Sequence, residues 1–233
     1  MPPKPGKTAI LIGATGLVGG HCLSLLLQST DYRRVVAVSR RPVPVTHRKL
    51  VRVETPSFEN LGEALKGVTA DDAFCCLGTT IRQAGSKADF QRVDHGYALE
   101  FAHRVLHNGV RHFLLVSAIG AQARSPVFYN RIKGLLEKDV MELGFQRTSI
   151  FRPSLLLGER DEERLAESVS ARLSSFIAPF MRGPLSRVHP IGGAEVAAAM
   201  VACARNHGPE GASIYRYADM LALLAENHED LKS

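Results

Sequence analysis

Tyr129 and Lys133 stand four residues apart, and Ser117 precedes the tyrosine by 12. On a helix, positions i and i+4 share a face, so the phenol and the ammonium project together. A phenol titrates near 10 and is a poor acid–base group at neutral pH. A neighbouring ammonium favours the phenolate and brings the proton donor toward its working range. With a serine hydroxyl beside them, the three groups suit carbonyl reduction. Ser117 hydrogen-bonds the substrate oxygen, Tyr129 protonates it, and hydride arrives from a nicotinamide. Lys133 is also suited to hydrogen-bond the cofactor ribose.

Such chemistry needs a dinucleotide, and the chain carries a loop for one. Gly13-Ala14-Thr15-Gly16-Leu17-Val18-Gly19 has the pattern G-x-x-G-x-x-G. It follows an apolar run and opens a helical one, where glycines permit the sharp turn and let backbone N–H groups approach a pyrophosphate. The end of the second apolar run selects the nucleotide. NAD-binding proteins usually carry Asp or Glu there, accepting hydrogen bonds from the adenosine ribose. Here the residues are Val38-Ser39-Arg40-Arg41. A carboxylate would repel a 2′-phosphate, whereas a guanidinium binds it bidentately. NADP(H) is therefore expected, with Arg40 as the main clamp and Ser39 or Arg41 assisting.

The elements that must hold these residues read in alternation. Lys7–Ile12, Arg34–Ser39, Leu50–Val53, Ala73–Leu77, His112–Ser117 and Thr148–Phe151 are short apolar or β-branched runs suited to buried parallel strands. Between them lie helical patterns over Leu17–Gln28, Phe58–Lys66 (closed by Gly67) and Phe128–Leu143 (closed by Gly144). Phe90, Val93, Tyr97, Phe101 and Val105, spaced 3, 4, 4 and 4 residues apart, predict one long amphipathic helix stopped by Asn108-Gly109. Alternation through about residue 153 predicts an α/β fold, a doubly wound parallel sheet of Rossmann type. Ser117 then ends a strand on the edge where such sheets place ligands.

The rest of the chain is expected to stay within one domain over residues 1–233. Residues 1–6 read as a disordered lead-in, about 155–190 as a small substrate-side cap, and Ala194–Arg205 as an alanine-rich core helix before a final strand and helix. Within the cap, Asp161–Ser174 reads as an amphipathic helix leading into the apolar Phe176–Met181. That segment is open to three readings: a lid over the nicotinamide, core or dimer contact, and membrane-surface contact. His189 is the histidine to watch near the pocket.

Composition narrows the classes. Apolar residues are 45% and charged residues 22%, as in globular proteins. No apolar run reaches the roughly 18 residues of a membrane helix, and the N-terminus lacks the apolar stretch of a secretory signal. The net charge of +6 is scattered rather than clustered, and aromatics are only 6%, so no nucleic-acid partner is expected. Four cysteines without CxxC or metal-ligand spacing read as buried thiols in a reducing, cytoplasmic setting, with no metal site.

Several segments together make the chain resemble the atypical short-chain dehydrogenase/reductases. Within that group it is similar to the Tat-interacting-protein-like oxidoreductases and to bacterial nucleoside-diphosphate-sugar epimerase-like proteins. The matching segments are GATGLVGG (Gly13–Gly20), VSRRP (Val38–Pro42), CCLGTT (Cys75–Thr80), QAGS (Gln83–Ser86) and FQRVDHGY (Phe90–Tyr97). HFLLVSAIGA (His112–Ala121), FYNRIKGLLE (Phe128–Glu137) and FRPSLLLGER (Phe151–Arg160) continue the match in order. The resemblance implies that Gly13, Thr15, Gly16, Leu17 and Val18 wrap the pyrophosphate, and that Ser39, Arg40 and Arg41 take the adenosine phosphate. It further implies that Leu77, Gly78 and Thr79 pass beneath the adenosine side and that Pro153, Ser154 and Leu155 line the nicotinamide. Ser117, Tyr129 and Lys133 would be catalytic. One departure stands out: where the family often has Asn, in the active-site tetrad or the fourth-strand motif, this chain has Asp94 and Leu77-Gly78-Thr79.

The expected function is thus an NADP(H)-dependent oxidoreductase acting on a small carbonyl or alcohol substrate, as a monomer or homodimer. The alternative is a non-catalytic NADP(H)-binding regulatory or scaffold protein, a description the resemblance also admits. A sugar-nucleotide epimerase, which would carry a larger C-terminal domain, is disfavoured by the short tail.

Overall fold

Valine, isoleucine and alanine fill the strand runs because both faces of this sheet are covered. In the computed structural model, which describes residues 6–154, 156–157, 190–206 and 209–230, seven strands form one parallel sheet. They are β1 (Lys7–Ile12), β2 (Tyr32–Ser39), β3 (Leu50–Glu54), β4 (Asp72–Cys75), β5 (His112–Val116), β6 (Arg147–Phe151) and β9 (Gly211–Tyr215), in the order β3-β2-β1-β4-β5-β6-β9. Every neighbouring pair is parallel, so the doubly wound α/β sheet expected from the alternation is the one that forms. A separate two-stranded ladder pairs β7 (Leu156–Leu157) with β8 (Ile191–Gly192). Residues 1–5 of the expected lead-in lie outside the described residues. So do Leu155, the helix expected over Asp161–Ser174, the Phe176–Met181 segment and His189.

Pleat alternation divides the core in two. Ala9, Leu11, Val35 and Ala37 face α1 (Leu17–Gln28), α7 (Gly193–Arg205) and α8 (Tyr217–Asp230). Ile10, Ile12, Val36 and Val38 face the side of α2 (Leu61–Ala64), α5 (Ala98–His107) and α6 (Phe128–Glu142). The alanines of α7 allow it to press closely on α1: a Cβ added at Gly193 would stand 2.6 Å from Leu17 Cγ. The chain leaves β1 on one side for β2 and returns on the other for β4, so a crevice opens at the carboxyl ends of β1 and β4.

Two local expectations are corrected. The fourth strand ends at Cys75, not Leu77, because Cys76 to Thr79 turn away from the ladder at the crevice. The long amphipathic helix is built instead from α3 (Ile81–Ala84), α4 (Lys87–Gln91), a π-helical turn at Arg92–Tyr97, and α5. Phe90, Phe101 and Val105 are buried as the stripe requires. Val93 and Tyr97 are not; they reach the crevice, while the carboxylate of Asp94 turns inward. An apolar stripe cannot reveal the wider i→i+5 turn that makes this exchange.

Candidate functional site

The glycine loop is shaped by what surrounds it. Gly13 has φ +87, and a Cβ there would fall 2.5 Å from the carbonyl oxygen of Cys76. A Cβ at Gly19 would fall 2.1 Å from Gly13 O, so neither position takes a side chain without moving backbone. The Gly16 N–H donates to Gly13 O at 2.9 Å and closes the turn. Gly16 is the N-cap of α1 and supplies no capping side chain. The N–H groups of the first turn are thus left for an anion, and the positive end of the helix dipole points the same way.

This loop forms one wall of a cavity of about 930 Å³. Gly13, Thr15, Gly16, Leu17, Val18, Ser39, Arg40, Arg41, Leu77, Gly78, Thr79, Ser117, Tyr129 and Lys133 all line it, brought together from β1, β2, β4, β5 and α6. Pro153 and Ser154 are not among its lining residues. Pro153 is buried and its carbonyl accepts from the Ile119 N–H at 2.9 Å. Leu155 lies outside the described residues.

At the adenosine end, Ser39 is buried and its Oγ has no hydrogen-bond partner among the described residues. An orphaned buried hydroxyl is costly unless something else satisfies it. The Arg40 guanidinium lies over the Phe58 ring, 5.3 Å from its centroid, which holds a long side chain at the rim. Arg92, on the π turn, also lines the cavity. The residues present therefore fit a dinucleotide: a backbone cradle for the pyrophosphate and donors for a ribose or its phosphate.

At the other end Lys133 is 4% exposed, and its Nζ stands 2.8 Å from Asp94 Oδ1. The other Asp94 oxygen accepts the Thr79 N–H at 2.9 Å. Burial presses Lys133 toward neutrality. The Asp94 carboxylate and the Tyr129 phenol outweigh it, so the lysine pKa is raised and the ammonium persists. Tyr129 packs its ring 5.5 Å from that of Phe90. The side chain expected as Asn in the family is thus an acid here, and it serves as the counter-ion of Lys133.

Ser117 differs from expectation. Its hydroxyl donates to Glu137 Oε1 at 2.5 Å, and so is not turned toward a substrate oxygen. Glu137 is 2% exposed and also receives Arg152 Nε at 2.9 Å and Arg152 Nη2 at 2.5 Å. A hydroxyl has one proton, and an arginine-paired carboxylate is a stronger acceptor for it than a neutral carbonyl. Sequence reasoning missed Glu137 and Arg152. The available signal was the spacing Tyr129, Lys133, Glu137 along one helix face, with Arg152 directly after β6.

Comparison with known proteins supports a nucleotide-binding domain. The family model described as NAD(P)H-binding matches residues 13–146. Protein FMP52-1, mitochondrial, of Scheffersomyces stipitis is 38% identical over 208 residues, 88% of this chain and 91% of that protein. Protein HTATIP2 of Rattus norvegicus is 37% identical over 164 residues, 69% of this chain and 67% of that protein. Among solved structures, the Bordetella bronchiseptica enzyme WbmH in complex with NAD+ has a TM-score of 0.68 at 16% identity, covering 91% of this chain and 76% of that one. A short chain dehydrogenase of Burkholderia cenocepacia in complex with NADP has a TM-score of 0.64 at 16% identity, covering 97% and 95%. At that identity the two structures speak for the fold alone. The fungal relatives correct the cytoplasmic expectation, because FMP52 proteins from several species are named as mitochondrial. Unpaired thiols signal a reducing compartment without saying which one. The chain belongs to the NAD(P)H-binding family and is a homologue of the FMP52 and HTATIP2 proteins.

Proposed function

We propose that the chain is an NADP(H)-dependent oxidoreductase of the atypical short-chain dehydrogenase/reductase type, with Tyr129 as the acid–base group toward a small carbonyl or alcohol substrate. The observation that carries this reading is the shared cavity wall of the glycine loop with Ser117, Tyr129 and Lys133. Bound there, the nucleotide supplies or takes up the hydride. Lys133, kept charged by Asp94, shares the cavity wall with Tyr129 and is suited to hold the nicotinamide ribose. Ser117, its proton committed to Glu137, offers lone pairs to a phenol or alcohol hydroxyl in the cavity. Preference for the phosphorylated nucleotide rests on Arg40, Arg41 and the orphaned Ser39 hydroxyl at a strand end without a carboxylate.

Calorimetry tests the cofactor reading. NADPH is expected to bind at least about tenfold more tightly than NADH, a difference of ~1.4 kcal/mol, with Arg40→Ala removing most of it. Equal affinities, or an unchanged preference in Arg40→Ala, would overturn it. For the chemistry, NADPH consumption is followed against aldehydes, ketones and quinones, and Tyr129→Phe is expected to lower the rate by about 10²-fold or more. The second reading, a cofactor-binding scaffold, draws on the Ser117–Glu137 bond, which withholds a donor from the cavity. Tight NADPH binding without turnover on any of these compounds would decide for it.

A further inference from the structure

Strand β4 runs out into two cysteines on opposite faces. Cys75 belongs to the core on the α5 side, whereas Cys76 packs on the α1 side and lines the cofactor cavity. The Sγ of Cys76 lies 3.9 Å from that of Cys22, in the second turn of α1, and both are free thiols. Neither sulfur has a role in the chemistry above. A disulfide brings its sulfurs to about 2.05 Å, so this pair must close by roughly 1.9 Å. Whatever side-chain rotation does not supply must come from drawing α1 toward the end of β4. There is little slack for such a movement, since Gly13 and Gly19 have no room for even a Cβ against Cys76 O and Gly13 O. Closing the bond therefore acts directly on the loop that cradles the pyrophosphate.

We propose that Cys22 and Cys76 form a disulfide modification site on the floor of the cofactor cleft, and that this bond and a bound dinucleotide exclude each other. The oxidant is a hydroperoxide. Cys76, the half-buried member that reaches the cavity, attacks the O–O bond, taking one oxygen as sulfenic acid while the other leaves as water or alcohol. The Cys22 thiol then attacks the sulfenyl sulfur, the S–S bond forms and water departs. Two thiols lose two electrons and two protons in all, and the peroxide takes up both. Contact with Cys22 first, and burial second, push the Cys76 thiol well above its usual range, so closure is slow at neutral pH and quickens in alkali. Cys75 is fully buried and pushed up to about 12. Cys203 is lowered despite its burial by His112 and Ser149, but it is fully enclosed. The proposal rests on the dinucleotide-binding fold and not on the choice of NADP(H) or on turnover.

The full chain is treated with hydrogen peroxide at mildly alkaline pH, with and without saturating NADPH. Remaining thiols are blocked with N-ethylmaleimide, and peptides are mapped without reduction. The expected product joins Cys22 to Cys76, and NADPH slows its formation at least about tenfold. Oxidised protein binds NADPH at least about tenfold more weakly and recovers on reduction with dithiothreitol. In Cys22→Ala no cross-link forms and Cys76 accumulates as sulfenic acid; Cys76→Ser serves if that variant does not fold. Preferential oxidation of Cys75 or Cys203 overturns the proposal, as does a cross-link that leaves affinity unchanged. Running the same arms with NADH separates failure of the cofactor preference from failure of the site, and a reduced chain binding neither nucleotide overturns mutual exclusion.

Discussion

Replacing Glu137 by glutamine removes the centre of a buried chain of three hydrogen bonds: from Ser117 Oγ at 2.5 Å, and from Arg152 Nε at 2.9 Å and Nη2 at 2.5 Å. The amide presents one acceptor where the carboxylate presents two, and its N–H₂ group then faces an arginine donor. Breaking a buried pair by removing one partner costs about 3–5 kcal/mol, because the other charge is left uncompensated. The Arg152 side chain is 19% exposed and regains some hydration, and the amide oxygen keeps one contact. We therefore expect a loss of about 2–3 kcal/mol, which for a chain of this size lowers Tm by about 4–12 °C. Urea denaturation followed by circular dichroism measures the loss. A cycle with Arg152→Leu isolates the coupling, because the double variant should cost less than the two single losses added together. A Glu137→Gln protein within about 0.5 kcal/mol of the parent would refute the reasoning, since the contacts would then carry no net stability.

Three further outcomes follow from the same physics. Lys133→Met strands a carboxylate that is fully buried, and should cost about 3–5 kcal/mol in the same denaturation assay, part of which Asp94→Asn in the same chain restores. Gly19→Ala forces a Cβ to within 2.1 Å of Gly13 O, so calorimetry should find dinucleotide binding lost or weakened at least about a hundredfold. His112 is opposed by burial, but its contacts with Asp72 and Cys203 raise its folded-state pKa above 6.5. Its stabilising contribution is therefore complete below pH 6.5 and fades as the pH rises through the folded value, so the stability gap between the parent and His112→Gln should narrow over that range. A gap that is flat or widens with pH would show that the imidazole does not gain its proton on folding.

What was legible in the sequence is what local physics demands. Lys7–Ile12 had to be a strand covered on both sides, and the glycines had to turn where no Cβ fits. Arg40 could be expected beside the cavity from its place after β2, though the Phe58 ring beneath it could not. Asp94 was visible as a departure, but its partnership with Lys133 depends on a π turn to which apolar spacing is blind. Glu137 was hidden for another reason. Its partners arrive from β5 and from the end of β6, and only the assembled sheet brings Ser117 and Arg152 to one carboxylate. Compartment was not legible at all, because no side chain that builds this fold differs between one reducing compartment and another.

The π turn at Arg92–Tyr97 amounts to one residue more than an α-helix needs. Deleting a single residue there would restore ordinary winding and leave the helix on either side nearly in its present phase, because the wide turn has already absorbed the extra residue. Phe90, Phe101 and Val105 would stay in the core, while the residues inside the turn, Asp94 and Arg92 among them, would lose the placement against Lys133 and the cavity that the extra residue gives them. The counter-ion of the lysine is therefore encoded as an inserted residue in a helix rather than as a side chain alone. A one-codon deletion, with no residue type substituted, would switch the electrostatics of the cavity.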